Sequence, residues 1–400
     1  MSNRKDIVII GAGVIGCSIA YHLAKKGIAS TIIERESIGA RASGKAWGVI
    51  AYPPIMLVAE QIPGSFYKLP EGETFADWLP FFWSGYNRMA DIAMDIRERT
   101  GIDIEYGETP STYLLTADQP EAAFGEGLLE MFKEVGAYEC EWVGPEEMRE
   151  IFPNVNPNAV GGISRPDFQV EPYKYTLGLA QTAENLGAEI RHGDVVGFDT
   201  EGSKITSIKL ASGRTIEADI VVIAMGPWSV QSTSWLGSKI PAHVVTEECL
   251  RVKAPRGFPP HSIAHGYRTI VSLISGDLIL AGGDDDSWFF KTRDDFEYSL
   301  SDDMKNQIMQ GAIDVVSDLR DAELIEHRGD LLAYAPGPNY HKPVLGRLPE
   351  WDNGYIATRF GGLGIMLSPG AGQVMADLIA DGEVPYRARH MMEHLSPGQA

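Results

Sequence analysis

An apolar stretch, Asp6 to Ile10, runs directly into Gly11-Ala12-Gly13-Val14-Ile15-Gly16, and Glu34 closes a second apolar stretch, Thr31 to Ile33. Strand, GxGxxG, helix and a second strand ending in an acid make up the βαβ unit that binds a dinucleotide. Each glycine has a separate task. Gly11 permits a tight turn, Gly13 lets the backbone approach a pyrophosphate with no Cβ in the way, and Gly16 lets the helix lie close to the strand. The helix start then turns its unpaired N–H groups and the positive end of its dipole toward the phosphates. Glu34 stands 18 residues past Gly16, where a right-handed crossover brings its carboxylate to the adenosine ribose, to accept from both hydroxyls. A 2′-phosphate at that place would be repelled.

Composition sets the frame around this unit. With 400 residues, 44% hydrophobic and 22% charged, the chain can bury two cores and is not disordered. A net charge of −21 argues against nucleic acid or an anionic membrane surface as a partner, since both are polyanions. Cys17, Cys140 and Cys249 are widely separated and form neither a disulfide framework nor a metal-ligand set. The N-terminus has no secretory apolar core, and no apolar run reaches the roughly 18 residues that span a bilayer. A cytoplasmic protein without a membrane span or a metal site is expected, with Asp284-Asp285-Asp286 a solvated turn rather than a ligand cluster.

Along the chain, helical periodicity from Val14 to Lys26 ends at Gly27, and a loop of small residues, Gly39 to Gly48, follows the second strand. A long helix from about Phe75 to Thr100 carries a mostly core-forming set including Trp78, Phe81, Phe82, Trp83 and Ile96, and opens a second domain near residue 76. A strand at Tyr113–Thr116 and a helix from Glu121 to Val135 continue that unit. A helix at Tyr173–Leu186 leads to short strands at 188–190, 195–196 and 205–210 and a hairpin turn at Gly213. The uninterrupted run Asp219–Ala224 reads as a buried strand beside the first. Strands at 269–274 and 278–281 precede the aspartate turn. After a strand at Tyr355–Thr358, Ser368 is positioned to cap a last helix with Pro369 at its first position and Gly382 at its end. The expected fold is α/β: a Rossmann-type domain (1–75, 145–233 and 330–395) into which an α+β substrate domain built on an antiparallel sheet (76–144 and 234–329) is inserted.

A phosphate loop near one end of the chain and a second glycine-rich helix start near the other favour FAD over a nicotinamide. GAGVIG with Glu34-Arg35, the ASGKAWG loop, the AMGPWS turn and GGLGIMLSPGAGQVMADLI together resemble the D-amino-acid oxidase superfamily, particularly its glycine oxidase and sarcosine oxidase branch, over nearly the whole chain. The resemblance implies that Gly11, Gly13, Val14, Ile15 and Gly16 hold the pyrophosphate, Glu34 and Arg35 the ribose, and Val195 the adenine. It places Ala42, Ser43, Lys45, Ala46, Trp47 and Gly48 along the isoalloxazine edge, with Ala224, Gly226 and Trp228 near the ribityl phosphate. Gly361, Gly362, Gly364, Ile365, Met366 and Leu367 fall on the final helix start, whose segment Leu367 to Gly370 would face the flavin N1–C2=O edge.

The implied chemistry is removal of a hydride from the carbon beside nitrogen of a small amino acid or secondary amine, delivered to flavin N5. The resulting imine hydrolyses and O2 is reduced to H2O2. A same-fold dehydrogenase that passes electrons to a quinone or electron-transfer flavoprotein, and an NAD-linked dehydrogenase or non-catalytic nucleotide-binding module, are the alternatives. Three departures from the family matter. Leu331–Pro336 has no cysteine to attach the flavin, so FAD should be non-covalent; Ile279 stands where sarcosine oxidases carry an oxygen-activating lysine; and Ala335 stands where glycine oxidase-like enzymes carry the arginine that anchors the substrate carboxylate. The moved anchor suggests an N-substituted or bulkier substrate. Replacement anchors are Arg268 with Tyr267, Arg328, Arg359 and Lys45, while Trp47, Tyr267 and Tyr334 are pocket-lining aromatics. Sequence leaves the D or L preference and the oligomeric state open.

Overall fold

Ile7–Ile10 is buried along its whole length, as a strand covered on both faces must be, and it sits inside a six-stranded sheet. The computed structural model describes residues 6–54, 56, 75–282, 292–293, 296–336 and 342–399. The sheet runs Val344–Arg347, Gly354–Thr358, Ile220–Ile223, Ile7–Ile10, Thr31–Glu34, Glu189–His192, parallel except for the antiparallel pair at the first edge. The expected pairing of the Asp219–Ala224 run beside the first strand is therefore observed.

The two-residue period of a strand divides this core. Ile7 and Ile9 pack under the helices Val14–Lys25, Phe75–Thr100, Pro172–Asn185 and Gly364–Asp381. Val8 and Ile10 pack against a three-stranded antiparallel sheet, Val195–Glu201, Lys204–Leu210 and Thr215–Glu217. Each such isoleucine contributes about 1.5–3 kcal/mol of burial, so both faces are held.

The second sheet has nine strands. Thr292–Arg293, His243–Lys253, Asp277–Ala281, Arg268–Ser272, Ser262–His265, Ser111–Thr116, Ala159–Arg165 and Glu141–Val143 follow in order, with Leu324–Tyr334 on the other side of His243–Lys253. All pairs are antiparallel except Ser262–His265 with Ser111–Thr116.

This topology moves the domain boundaries drawn from the sequence. The Phe75–Thr100 helix, placed at the head of the substrate domain, buries Trp78, Phe81, Phe82, Met89, Ile92 and Ile96 in the core of the parallel sheet. Ala159–Arg165, placed with the nucleotide domain, is hydrogen-bonded to Ser111–Thr116 in the nine-stranded sheet. Leu324–Tyr334 is one strand of that same sheet and runs through the boundary drawn at residue 330. The helix expected from Glu121 to Val135 is a 3-10 turn, Pro120–Ala123, and a shorter α-helix, Gly127–Glu134. The aspartate turn at 284–286 lies outside the described residues. Among the described residues one helix is long and apolar enough to cross a membrane, Gly361–Asp381, and 72% of its apolar window is buried inside the protein.

Candidate active site

The turn after the first strand is built on backbone contact. Gly11 has φ +105°, and a Cβ there would stand 2.4 Å from the carbonyl oxygen of Ala224 on the neighbouring strand. A Cβ on Gly16 would stand 2.0 Å from the carbonyl oxygen of Gly11, so the helix can lie on the turn only without one. The Val14–Lys25 helix has no acid in its first turn and no cap from Gly13; its Val14 N–H is met instead by Ser43 Oγ at 2.9 Å, from the small-residue loop. Ala42–Lys45 of that loop is a short helix. Glu34 closes its strand by accepting Ala12 N–H at 2.7 Å and Glu36 N–H at 2.8 Å.

The second helix start lies elsewhere than the sequence suggests. A 3-10 turn, Gly361–Leu363, leads into an α-helix that already begins at Gly364, so Ser368 and Pro369 lie inside it rather than at its cap. Pro369 has no N–H for the carbonyl of Ile365, and the Ser368 hydroxyl serves that carbonyl instead at 2.8 Å. The helix start therefore lies at Gly361–Ile365, one turn before the expected Leu367 to Gly370, and two of its N–H groups are already met, Gly362 by the Tyr334 hydroxyl and Leu363 by the Phe360 carbonyl, each at 2.9 Å.

These two helix starts meet at one cavity of about 650 Å³. Gly13, Val14, Ile15, Ala42, Ser43, Lys45, Ala46, Trp47 and Gly48 form one side, with Ala224 and Gly226, and Gly361, Gly362, Gly364, Ile365 and Met366 another. The nine-stranded sheet closes it with Ser111, Tyr113, Glu247, Cys249, Ser262, Ala264, Thr269 and Val271, joined by Thr109, Gln119, Arg165, Asp167, Gln169, Tyr267 and Tyr334. Other expected contacts are not in its wall. Gly11 and Gly16 shape the turn, Glu34 holds its flank, and Leu367 is buried in the core. Val195 packs in the core on the other face of the parallel sheet, and Arg35 stacks on Trp228 with its guanidinium 4.2 Å from the ring centroid.

The replacement anchors fare differently. Strand parity puts Thr269 and Val271 toward the cavity and turns Arg268 to the opposite face, where its stem lies against Gly311 and its Nη1 is 3.8 Å from Asp314, both on the helix Asp302–Val315. Arg328 is outside the wall, buried, and donates to the Ala46 carbonyl at 3.0 Å. Arg359 borders the cavity in left-handed backbone, φ +64°, but its guanidinium is bonded to the carbonyls of Lys342 and Pro241; burial lowers its pKa to about 10. Lys45 borders it too and is spent on Asp330, Nζ to Oδ2 2.6 Å, and on the Gly329 carbonyl at 3.2 Å. Ile279 is buried in the core of the nine-stranded sheet and is not in the wall.

Two wall groups were invisible in the sequence. Arg165 donates through Nε to both oxygens of Asp167, at 3.0 and 2.9 Å, and Asp167 also accepts the Tyr52 N–H at 2.8 Å. Burial pushes the Asp167 carboxyl up, and Arg165 and the Tyr52 N–H pull it part of the way back. Glu247 accepts from the Tyr334 hydroxyl, which in turn accepts Gly362 N–H at 2.9 Å at the second helix start. Burial lifts the Glu247 carboxyl to about 7, the Tyr334 hydrogen bond opposing the shift.

This wall fits FAD. Two helix starts without acidic first turns face one space, and Gly226, φ +55°, has nothing within 4 Å of where a Cβ would be, leaving room beside the wall for a bound group. Gly13 to Ile15 would hold the pyrophosphate, and the loop Ala42–Gly48 with Gly361–Met366 the isoalloxazine. The wall's one cysteine is Cys249, and the cysteine-free segment Leu331–Tyr334 borders the same space.

A model of the FAD dependent oxidoreductase family matches residues 6–378 of the chain. Glycine oxidase of Bacillus licheniformis is 27% identical over 95% of this chain and 94% of its own length. Mitochondrial sarcosine dehydrogenase of Mus musculus is 24% identical over 96% of this chain and 40% of its own length. The crystal structure of glycine oxidase from Geobacillus kaustophilus superposes with a TM-score of 0.81 at 25% identity, covering 96% of both chains.

Proposed function

The chain belongs to the family of FAD-dependent oxidoreductases, and from that premise we propose that it oxidises a small amino acid or secondary amine at the carbon next to nitrogen, with O2 as the electron acceptor. The observation that carries the reading is the single cavity in which the flavin loop, the second helix start and a polar sheet face enclose one space. Bound FAD supplies the hydride acceptor and needs no acid–base triad beside it. The protein supplies the rest. The positive dipole ends of the helices that start at Val14 and at Gly364, together with the Ile15 N–H, favour negative charge on the bound group, the phosphates at one end and the pyrimidine edge at the other. Trp47, Met56, Phe132, Phe168 and Val271 supply the apolar part of the wall, which favours the neutral amine over the ammonium that has no lone pair to release. Thr109, Ser111, Ser262 and Thr269 offer hydroxyls that orient a small polar substrate.

Oxygen uptake by the purified yellow protein over glycine, sarcosine, proline derivatives, iminodiacetate-type amines and D-amino acids tests this, with peroxide measured in the same vessel. Peroxide formed in step with amine consumed supports the oxidase. A dehydrogenase of the same fold is favoured by one observation: Lys45, which borders the cavity, is paired with Asp330, Nζ to Oδ2 2.6 Å. Reduction of an artificial dye without peroxide identifies that enzyme instead, and reaction of hydroxy acids alone contradicts both readings.

A further inference from the structure

Among the described residues, Arg165 is the cavity arginine whose outer fork is unengaged. Its Nε is held by both oxygens of Asp167, while Nη1 and Nη2 have no hydrogen-bond or ion-pair partner among the described residues. Arg268, Arg328 and Arg359 are engaged elsewhere, beside Asp314, on Ala46 and on two carbonyls. Asp167 is almost fully buried and bonded to Tyr52 N–H, so it fixes the guanidinium plane from behind. Ser111 lies directly opposite Arg165 in the antiparallel ladder, and both border the cavity.

We propose that Arg165, oriented by Asp167, is the anchor for the substrate's carboxylate, which binds end-on across Nη1 and Nη2. This rests on the reading of the substrate as an amino acid. An arginine fork matches the two oxygens of a carboxylate, and with Nε already taken the end-on edge is the one left for a ligand. Asp167 does not cancel the site. It engages a single N–H of the guanidinium, and its charge is already shared with the Tyr52 amide. The anchor therefore stands on the strand Ala159–Arg165 instead of beside Pro336, which moves the bound carboxylate to the part of the cavity bordered by Thr109 and Ser111.

The test is ligand binding to the FAD-loaded protein, which needs no turnover. Acetate and benzoate are titrated while the visible flavin spectrum is followed, with acetamide and benzamide as uncharged controls. Wild-type protein is expected to bind the carboxylates and discriminate against the amides. Arg165→Met should weaken carboxylate binding at least 100-fold with amide binding unchanged, and Arg165→Lys should recover part of the loss. Arg268→Met, on the far face of the sheet, should bind as wild type. Carboxylate binding that survives in Arg165→Met or in the better-tolerated Arg165→Lys at full strength overturns the proposal, as does a wild-type protein that binds no carboxylate. Failure of amines to reduce the flavin would instead count against the proposed reaction and leave the anchor standing.

Discussion

Substituting Gly16 by alanine places a methyl group 2.0 Å from the carbonyl oxygen of Gly11 and 3.2 Å from its carbonyl carbon. Both are backbone atoms of the turn itself, so turn and helix must part by roughly 1 Å or more to reach ordinary contact. Two effects oppose each other. Alanine is about 1 kcal/mol better than glycine inside a helix, and overpacking costs about 1–3 kcal/mol. Overpacking wins by a small margin, and the larger consequence falls on the ligand. A displacement of roughly 1 Å carries the Ile15 N–H and the helix start off the phosphates, removing a hydrogen bond to a charged group worth about 1.5–3 kcal/mol. The Kd for FAD should rise at least 100-fold, equivalent to about 2.7 kcal/mol. Gly13→Ala is the informative partner. Its methyl group meets only Ser43 Oγ, at 3.2 Å, and its backbone, φ −73° and ψ 173°, suits any residue. That variant should unfold within about 1 kcal/mol of wild type yet bind FAD about 10–100-fold more weakly, because its Cβ occupies the approach to the pyrophosphate. Titration of apoprotein with FAD by fluorescence quenching, beside urea unfolding of the same samples, reads both quantities. A Gly16→Ala protein with wild-type affinity and wild-type midpoint would refute the reasoning.

Two other perturbations follow from the same geometry. Ser368 spends its proton on Ile365, so Tyr175 must donate to Ser368 Oγ at 3.0 Å; Ser368→Ala leaves the Ile365 carbonyl and the Tyr175 hydroxyl without these partners and should cost about 1–3 kcal/mol in urea unfolding. The Glu247 carboxyl is lifted from 4.5 to about 7 on folding, so the folded chain holds its proton more tightly. Its stabilising share is complete below the unfolded value and is lost as pH rises through 7. Wild-type apoprotein should therefore lose about 1–3 kcal/mol relative to Glu247→Gln between pH 5 and 8, with the cavity face of the side chain limiting the effect; parallel curves would contradict it.

Local features were legible in the sequence. The Gly16 contact, with the Gly11 carbonyl five residues back, is the one the motif implies, whereas the close approach at Gly11 is to Ala224 on the neighbouring strand and belongs to the sheet. The small-residue loop Ala42–Gly48 and the second glycine-rich start both border the cavity. The errors come where local preference competes with tertiary structure. Serine before proline reads as a helix start, but Ser368 repairs the hydrogen bond that Pro369 cannot make in a helix already under way. Arg268 was misplaced by strand parity, since one residue's shift along a strand exchanges the two faces of a sheet. The Phe75–Thr100 periodicity identified the helix without saying which core it serves. Arg165 could not be found by pattern at all: its significance depends on Ser111, far away in sequence, being its cross-strand partner, and on Asp167 holding its Nε.

The central claim is that one cavity brings an amine to a bound flavin. Anaerobic titration of the yellow protein with the amine and amino-acid panel tests it most directly, because neither oxygen nor an artificial acceptor enters the measurement. At least one amine or amino acid should bleach the visible flavin absorbance, with imine-derived carbonyl product equal to the flavin reduced. Flavin that stays oxidised with every amine and bleaches with hydroxy acids or with reduced nicotinamide would contradict it.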